Sequence, residues 1–212
     1  MKIGILGSGQ VARTLAAGFV KHGHQVVMGT REPAKLAVWQ QTNAAVQADS
    51  FDRAAQFADM IVLAVKGSAA ADALRLVGDA HLAGKTIIDT TNPIADAPPV
   101  NGVINYFTAM NDSLMERLQR AFPNAHFVKA FNSVGNAFMV NPAFAGGPPT
   151  MFICGNDDAA KAQVQSVLTQ FGWDAEDMGK VESARAIEPL CILWCAPGML
   201  RNQWSHAFKL LK

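Results

Sequence analysis

Six residues near the amino terminus, Gly7-Ser8-Gly9-Gln10-Val11-Ala12, constrain the fold more than any other stretch of the chain. They separate the short apolar run "KIGIL" from residues 11–21, where apolar side chains recur at helical spacing up to a His-Gly-His ending. Glycine at position 7 permits a tight turn, glycine at 9 leaves the backbone bare, and alanine at 12 lets a helix lie close to a strand. A strand, a tight glycine turn and a covering helix form the opening unit of a parallel sheet.

The rest of the chain repeats that alternation. Strands are expected over residues 25–31 ("QVVMGTR"), a short 44–48, 60–66 ("MIVLAVK") and 85–93 ("KTIIDTTNP"), with helices over 49–58 and 68–80 between them. The 60–66 run is apolar throughout, as in strands buried on both faces. Residues 94–112 hold two prolines and a glycine without a clear period, and read as a functional loop. Helix 113–122 and strand 126–133 follow. The Gly- and Pro-rich stretch 141–150 marks a boundary. Beyond it come strand 151–155, helix 157–172, a short strand near 174–179 and a helical region from Ser183. The expected fold class is α/β: a doubly wound parallel sheet of the Rossmann type over residues 1–141, with a small C-terminal α/β segment, 142–212, packed on it.

Half of the 212 residues are hydrophobic and 17% are charged, enough for one sizeable core. The net charge is +1 and no basic run occurs, so neither nucleic acid nor a membrane surface is expected as a partner. The longest apolar run near the C-terminus, "PLCILWCAPGML", is too short to span a bilayer. Three cysteines, an odd number, point to a reducing compartment and a cytoplasmic protein.

The glycine turn has a chemical reading in this context. Gly-x-Gly-x-x-Ala after a strand and before a helix brings free N–H groups and the positive helix end to a pyrophosphate. In NAD sites an acidic residue at the end of the second strand takes the ribose hydroxyls. Here that strand ends in Thr30-Arg31. A guanidinium binds a 2′-phosphate bidentately, Thr30 adds a hydroxyl donor, and Lys35 is placed to reach the same phosphate, so the expected cofactor is NADP(H).

Taken in order, "KIGILGSGQVARTLAAGFVKHGHQVVMGTRE", "IVLAVK", "IIDTTNPI", "VKAFNSVG" and "CGNDDAAK" resemble the coenzyme F420-dependent NADP oxidoreductase family, which includes the cytosolic reductase domain of animal transmembrane metalloreductases. The resemblance covers nearly the whole chain. It implies NADP(H) held by Gly7, Ser8, Gly9, Gln10 and Val11 and by Thr30, Arg31 and Lys35. It further implies Val65 and Lys66 near the adenosine ribose or phosphates, and Asn92, Pro93 and Ala130 to Asn132 near the nicotinamide. "DTTNP" and "FNSVG" are closer in form to the metalloreductase-type and bacterial relatives than to the deazaflavin-reducing members. The implied activity is hydride transfer between NADPH and a flavin-like, deazaflavin (F420) or metal-complex acceptor; the alternative is a binding module that senses NADP(H) without turnover.

No catalytic acid or base stands out. Tyr106 has Met110, not lysine, four residues later, so the Tyr-x-x-x-Lys arrangement is missing. Cys191 and Cys195 are one helical turn apart with no third ligand nearby, and are expected in an apolar helix rather than at a metal. His22 and His24 are expected to cap helix carbonyls. Asp89 and Lys129, polar residues in apolar strands, read either as proton carriers or substrate contacts or as solvated strand ends. Hydride transfer between ring carbons needs positioning more than proton transfer. Only some sixty residues follow the Gly-Pro boundary, so a small-molecule acceptor would be held by strand-end loops, by the C-terminal segment or by a second subunit of a homodimer.

Overall fold

The computed structural model describes residues 1–212. Eight strands form one sheet in the order β3-β2-β1-β4-β5-β6-β7-β8: β1 Lys2–Leu6, β2 Gln25–Gly29, β3 Val46–Asp49, β4 Met60–Leu63, β5 Thr86–Asp89, β6 His126–Lys129, β7 Thr150–Gly155 and β8 Asp174–Asp177. The first six are mutually parallel, with Leu6 level with Gly29 and Leu63, Leu63 with Asp89, and Asp89 with Lys129. Their carboxyl ends therefore line one edge. β7 runs antiparallel to β6, and β8 parallel to β7. Residues 150–177 thus continue the same sheet.

The helices are α1 Gln10–Lys21, α2 Ala37–Gln40, α3 Phe51–Phe57, α4 Ala70–Val77, α5 Asp79–Leu82, α6 Leu114–Ala121, α7 Asp158–Gln170, α8 Ala184–Ile187 and α9 Leu190–Arg201. Strand residues alternate between the two sheet faces. Ile3, Ile5, Met60, Val62 and Ile88 join Leu15 and Phe19 of α1 and Val164 and Leu168 of α7 in one buried cluster. Leu6, Ile61, Leu63 and Ile87 join Ala54 of α3, Leu74 of α4 and Leu118 of α6 in the other. This two-sided burial is why the strands read as continuous apolar runs.

Local signals set the helix ends. Ser113 caps α6: its Oγ accepts from Glu116 N (3.2 Å) and donates to the Glu116 carboxylate (2.7 Å). Asp157 caps α7, accepting from Ala160 N (2.7 Å). The helix expected over 68–80 is broken into a 3-10 turn at Gly67–Ala69, α4 and α5, because Gly78 takes a left-handed φ of 84° between the last two. The strands expected to reach Lys66, Pro93 and Ser133 stop at Leu63, Asp89 and Lys129, and their last residues turn outward as edge loops. The loop 94–112 closes on itself through the bridges Ile94–Tyr106 and Val100–Val103. His22 and His24 cap the end of α1 through their backbone, His22 N–H donating to Gly18 O (3.1 Å) and His24 N–H to Phe19 O (3.0 Å), while their rings turn outward, His22 Nε2 to Asn141 Oδ1 (3.1 Å) and His24 Nε2 to Gln170 Oε1 (2.8 Å). No helix is long and apolar enough to cross a membrane.

Candidate dinucleotide site

The glycine turn lies at the centre of the carboxyl edge. Gly7 N–H donates to Gly29 O (2.9 Å), so the turn hangs from the neighbouring strand. Gly7 has φ 139°, and a Cβ there would overlap the Ala64 carbonyl, so only glycine fits. Arg13, one turn into α1, holds the loop from behind by donating Nε–H to Ser8 O (3.0 Å). Gly9 caps α1 without a side chain, and a Cβ added there would meet nothing within 4 Å. Its open side faces a groove.

That groove has two arms. One, of about 390 Å³, is lined by Gly7, Ser8, Gly9, Thr30, Arg31, Val65 and Lys66, with Phe51 and Leu76 beyond them. The other, of about 360 Å³, is lined by Gly9, Gln10, Val11, Val65, Lys66, Thr90, Thr91 and Asn92, with Ile94 and Asp96 from the following loop. Residues scattered over four strand ends are thereby brought into one trough beside the N-terminus of α1. Thr30 is buried and its hydroxyl lies 3.5 Å from Ser8 Oγ. Arg31 is exposed and forms no ion pair within the chain. Lys35 Nζ is instead 2.7 Å from Glu32 Oε1, and Lys66 Nζ is 3.4 Å from Asp96 Oδ1 across the mouth of the second arm. Hydrogen bonding to Lys35 holds the Glu32 carboxyl below the usual range. A bare backbone, a helix N-terminus and a free guanidinium suit a dinucleotide carrying an extra phosphate.

Pro93, Ala130 and Asn132 lie behind the trough and are buried. Asn132 and Asn92 clasp each other: Asn92 Nδ2 donates to Asn132 O (2.7 Å), and Asn132 Nδ2 donates to Asn92 Oδ1 (3.1 Å) and to Ile187 O (3.0 Å). Phe131, fully buried, takes φ 59° to turn the chain into this clasp. That conformation costs an L-residue roughly 1–2 kcal/mol.

Asp89 and Lys129 correct the reading of solvated strand ends, because both are fully buried, and neither lines the groove. Lys129 Nζ, completely buried, lies 2.7 Å from Asp89 Oδ2 and 2.9 Å from Glu188 Oε1, and donates to Thr91 O (2.8 Å). Burial pulls the ammonium down, but the two carboxylates more than offset it and hold its pKa above the ordinary lysine value. Glu188 also accepts from Leu114 N (2.9 Å) and Met115 N (3.0 Å), so the start of α6 spreads the surplus negative charge. Asp89 Oδ1 accepts from Thr91 N (2.9 Å) and Thr91 Oγ1 (2.7 Å). The triad thus fixes Thr91, which lines the groove. Glu188 gave no sequence signal beyond being a charge inside an apolar stretch.

Tyr106 donates to Glu188 O (2.7 Å), a packing role for the loop. Cys154 and Cys191 are buried, Cys195 is partly exposed, and no three His, Cys, Asp or Glu side chains are grouped to hold a metal ion.

Residues 2–93 match the family described as NADP oxidoreductase, coenzyme F420-dependent. A solved structure of a candidate F420-dependent NADP reductase from Arthrobacter sp. FB24 is 34% identical, with a TM-score of 0.93 over all of both chains. The chain belongs to the coenzyme F420-dependent NADP oxidoreductase family. By family it is an NADP-dependent oxidoreductase. The metalloreductase STEAP3 of Rattus norvegicus is 32% identical over 94% of this chain and 39% of its own length. Metalloreductase STEAP2 of Homo sapiens is 29% identical over 92% of this chain and 37% of its own. The chain therefore spans less than two fifths of these curated relatives.

Proposed function

We propose that the chain is an NADPH-dependent reductase that passes hydride to a small-molecule acceptor of the flavin, deazaflavin (F420) or metal-complex kind. One observation carries the cofactor choice: Arg31, unpaired, projects at the rim of the same trough that Gly7, Ser8 and Gly9 form. In this reading Gly7 to Val11 take the pyrophosphate, and Thr30, Arg31 and Lys35 the 2′-phosphate. Val65 and Lys66 lie along the adenosine side, while Asn92, Pro93, Ala130 and Asn132 shape the floor at the nicotinamide. NADPH supplies the hydride. The residues of the chain bind, orient and desolvate it, and Lys66 exchanges Asp96 for a phosphate oxygen. Residues 1–141 hold the cofactor, and 142–212 complete the acceptor side. The protein works in the cytoplasm as a homodimer, a state supported by the outward apolar side chains Leu193, Met199 and Leu200 of α9.

Arg31→Ala tests the reading. A charge-assisted bond contributes about 1.5–3 kcal/mol, so NADPH affinity should fall roughly ten- to 150-fold while NADH affinity stays level. Equal affinities in the variant and the parent chain would refute the phosphate assignment. NADPH binding without oxidation by flavin, deazaflavin, quinone or ferric chelate would leave the NADP(H) sensor in its place.

A further inference from the structure

Both lysines assigned to the cofactor phosphates are already held by a carboxylate of the chain. Lys66, which lines both arms of the groove, has Asp96 Oδ1 at 3.4 Å. Lys35 Nζ has Glu32 Oε1 at 2.7 Å, next to Arg31. The other acid on the walls, Asp72, is taken by Arg75 at 2.5 Å. Arg31 is thus left without an acidic partner, while each lysine must change partners before a phosphate can use it.

Local structure puts both acids in place. Glu32 N–H donates to Thr30 Oγ1 (3.4 Å), which is itself 3.5 Å from Ser8 Oγ, so the Glu32 backbone is tied to the wall of the first arm. Pro33 then opens a single 3-10 turn, Pro33–Leu36, anchored by the wholly buried Leu36. At three residues per turn Lys35 comes back over Glu32. Lys35, and after it Arg31, lower the Glu32 pKa, so the carboxylate is charged at neutral pH. Asp96 stands in the loop closed by Ala95 N–H to Asn105 O (2.8 Å), and faces Lys66 across the second arm. All four side chains are at least 61% exposed. Exposed pairs of this kind contribute little and are readily given up, unlike the buried Lys129 cluster.

We propose that Glu32 and Asp96 are internal stand-ins for the cofactor phosphates, and that they set its affinity and choice. The proposal rests on the NADP(H) reading above and adds to it the residues that oppose binding. NADPH enters by exchange: its 2′-phosphate takes Lys35 from Glu32, and its pyrophosphate takes Lys66 from Asp96. Each displaced carboxylate is left beside a phosphate of like charge, which lowers the affinity. NADH carries no 2′-phosphate and leaves the Glu32–Lys35 pair intact. Glu32 is therefore a specificity-determining residue that narrows the preference for NADPH over NADH, whereas Asp96 weakens both cofactors alike.

Calorimetric titration of the full chain with NADPH and, separately, with NADH tests this. Glu32→Gln should raise NADPH affinity about two- to fivefold, within the range an exposed ion pair covers, and leave NADH affinity unchanged. Asp96→Asn should raise both affinities by a similar factor. Lys35→Met should cancel the first gain and Lys66→Met the second, because the freed lysine is what the phosphate collects. An NADPH affinity that stays level or falls in Glu32→Gln, an equal gain for NADH there, or a gain that survives Lys35→Met would overturn the proposal. So would level or lower affinities in Asp96→Asn. Arg31→Ala separates this inference from the reading beneath it. Where Arg31→Ala weakens NADPH and Glu32→Gln has no effect, the phosphate subsite stands and the stand-in role falls. Where Arg31→Ala leaves NADPH unchanged, the subsite falls, and the stand-in role with it.

Discussion

Replacing Lys129 with methionine removes the cation from a wholly buried cluster and leaves Asp89 and Glu188 facing each other. The ammonium is surrounded by three oxygens at 2.7–2.9 Å, and all three side chains of the triad are at most 1% exposed. Methionine fills a similar volume, so the cost is chiefly electrostatic. Breaking a buried pair by removing one partner costs about 3–5 kcal/mol. At about 2–4 °C per kcal/mol for a chain of this size, the melting temperature should fall by roughly 6–20 °C. Urea unfolding at neutral pH, read as the shift in midpoint at constant m-value, checks the free energy. A second readout tests position: the affinity for 2′,5′-ADP, which needs only the adenosine arm, should survive where the variant is folded. Hydride transfer should fall because Thr91 loses the bond that Lys129 donates to its carbonyl, and Asp89, which accepts from its N–H and hydroxyl, loses its cation. A loss below about 1 kcal/mol would refute the argument, since the remaining carboxylates would then have found compensation that a dry interior does not offer.

Two further outcomes follow from the geometry. Gly7→Ala puts a methyl group against the Ala64 carbonyl at a φ of 139°, so it should abolish NADPH binding and lower stability by about 1–3 kcal/mol, measured by titration and denaturation; wild-type affinity would contradict the turn. Arg185, with help from Ser113 and against the effect of burial, lowers the pKa of Glu116. Its folded pKa therefore lies below the unfolded value of about 4.3, and its stabilisation is present above that value and lost as pH falls through the folded one. Glu116→Gln should be less stable at neutral pH and show a shallower loss of urea midpoint between about pH 5 and 3; parallel pH profiles would refute this.

The sequence by itself determined the strands and most helices of the parallel half, because apolar runs and capping residues act over a few positions. It also determined the glycine turn, since Gly7 is required by local backbone geometry, and the Thr30-Arg31 ending of the second strand. The short helices after Arg31, the break at Gly78 and the antiparallel β7 were not legible, because backbone conformation and edge pairing depend on partners elsewhere. The site divides the same way. Only the folded chain sets Lys35 against Glu32, joins Glu188 to Asp89 and Lys129, and forces Phe131 into a left-handed turn. Only it brings Trp194 and Trp204 beside a loop some sixty residues earlier. Contacts on one strand end or helix turn follow from neighbours in sequence; the meeting of several at one edge follows from the parallel order of the sheet.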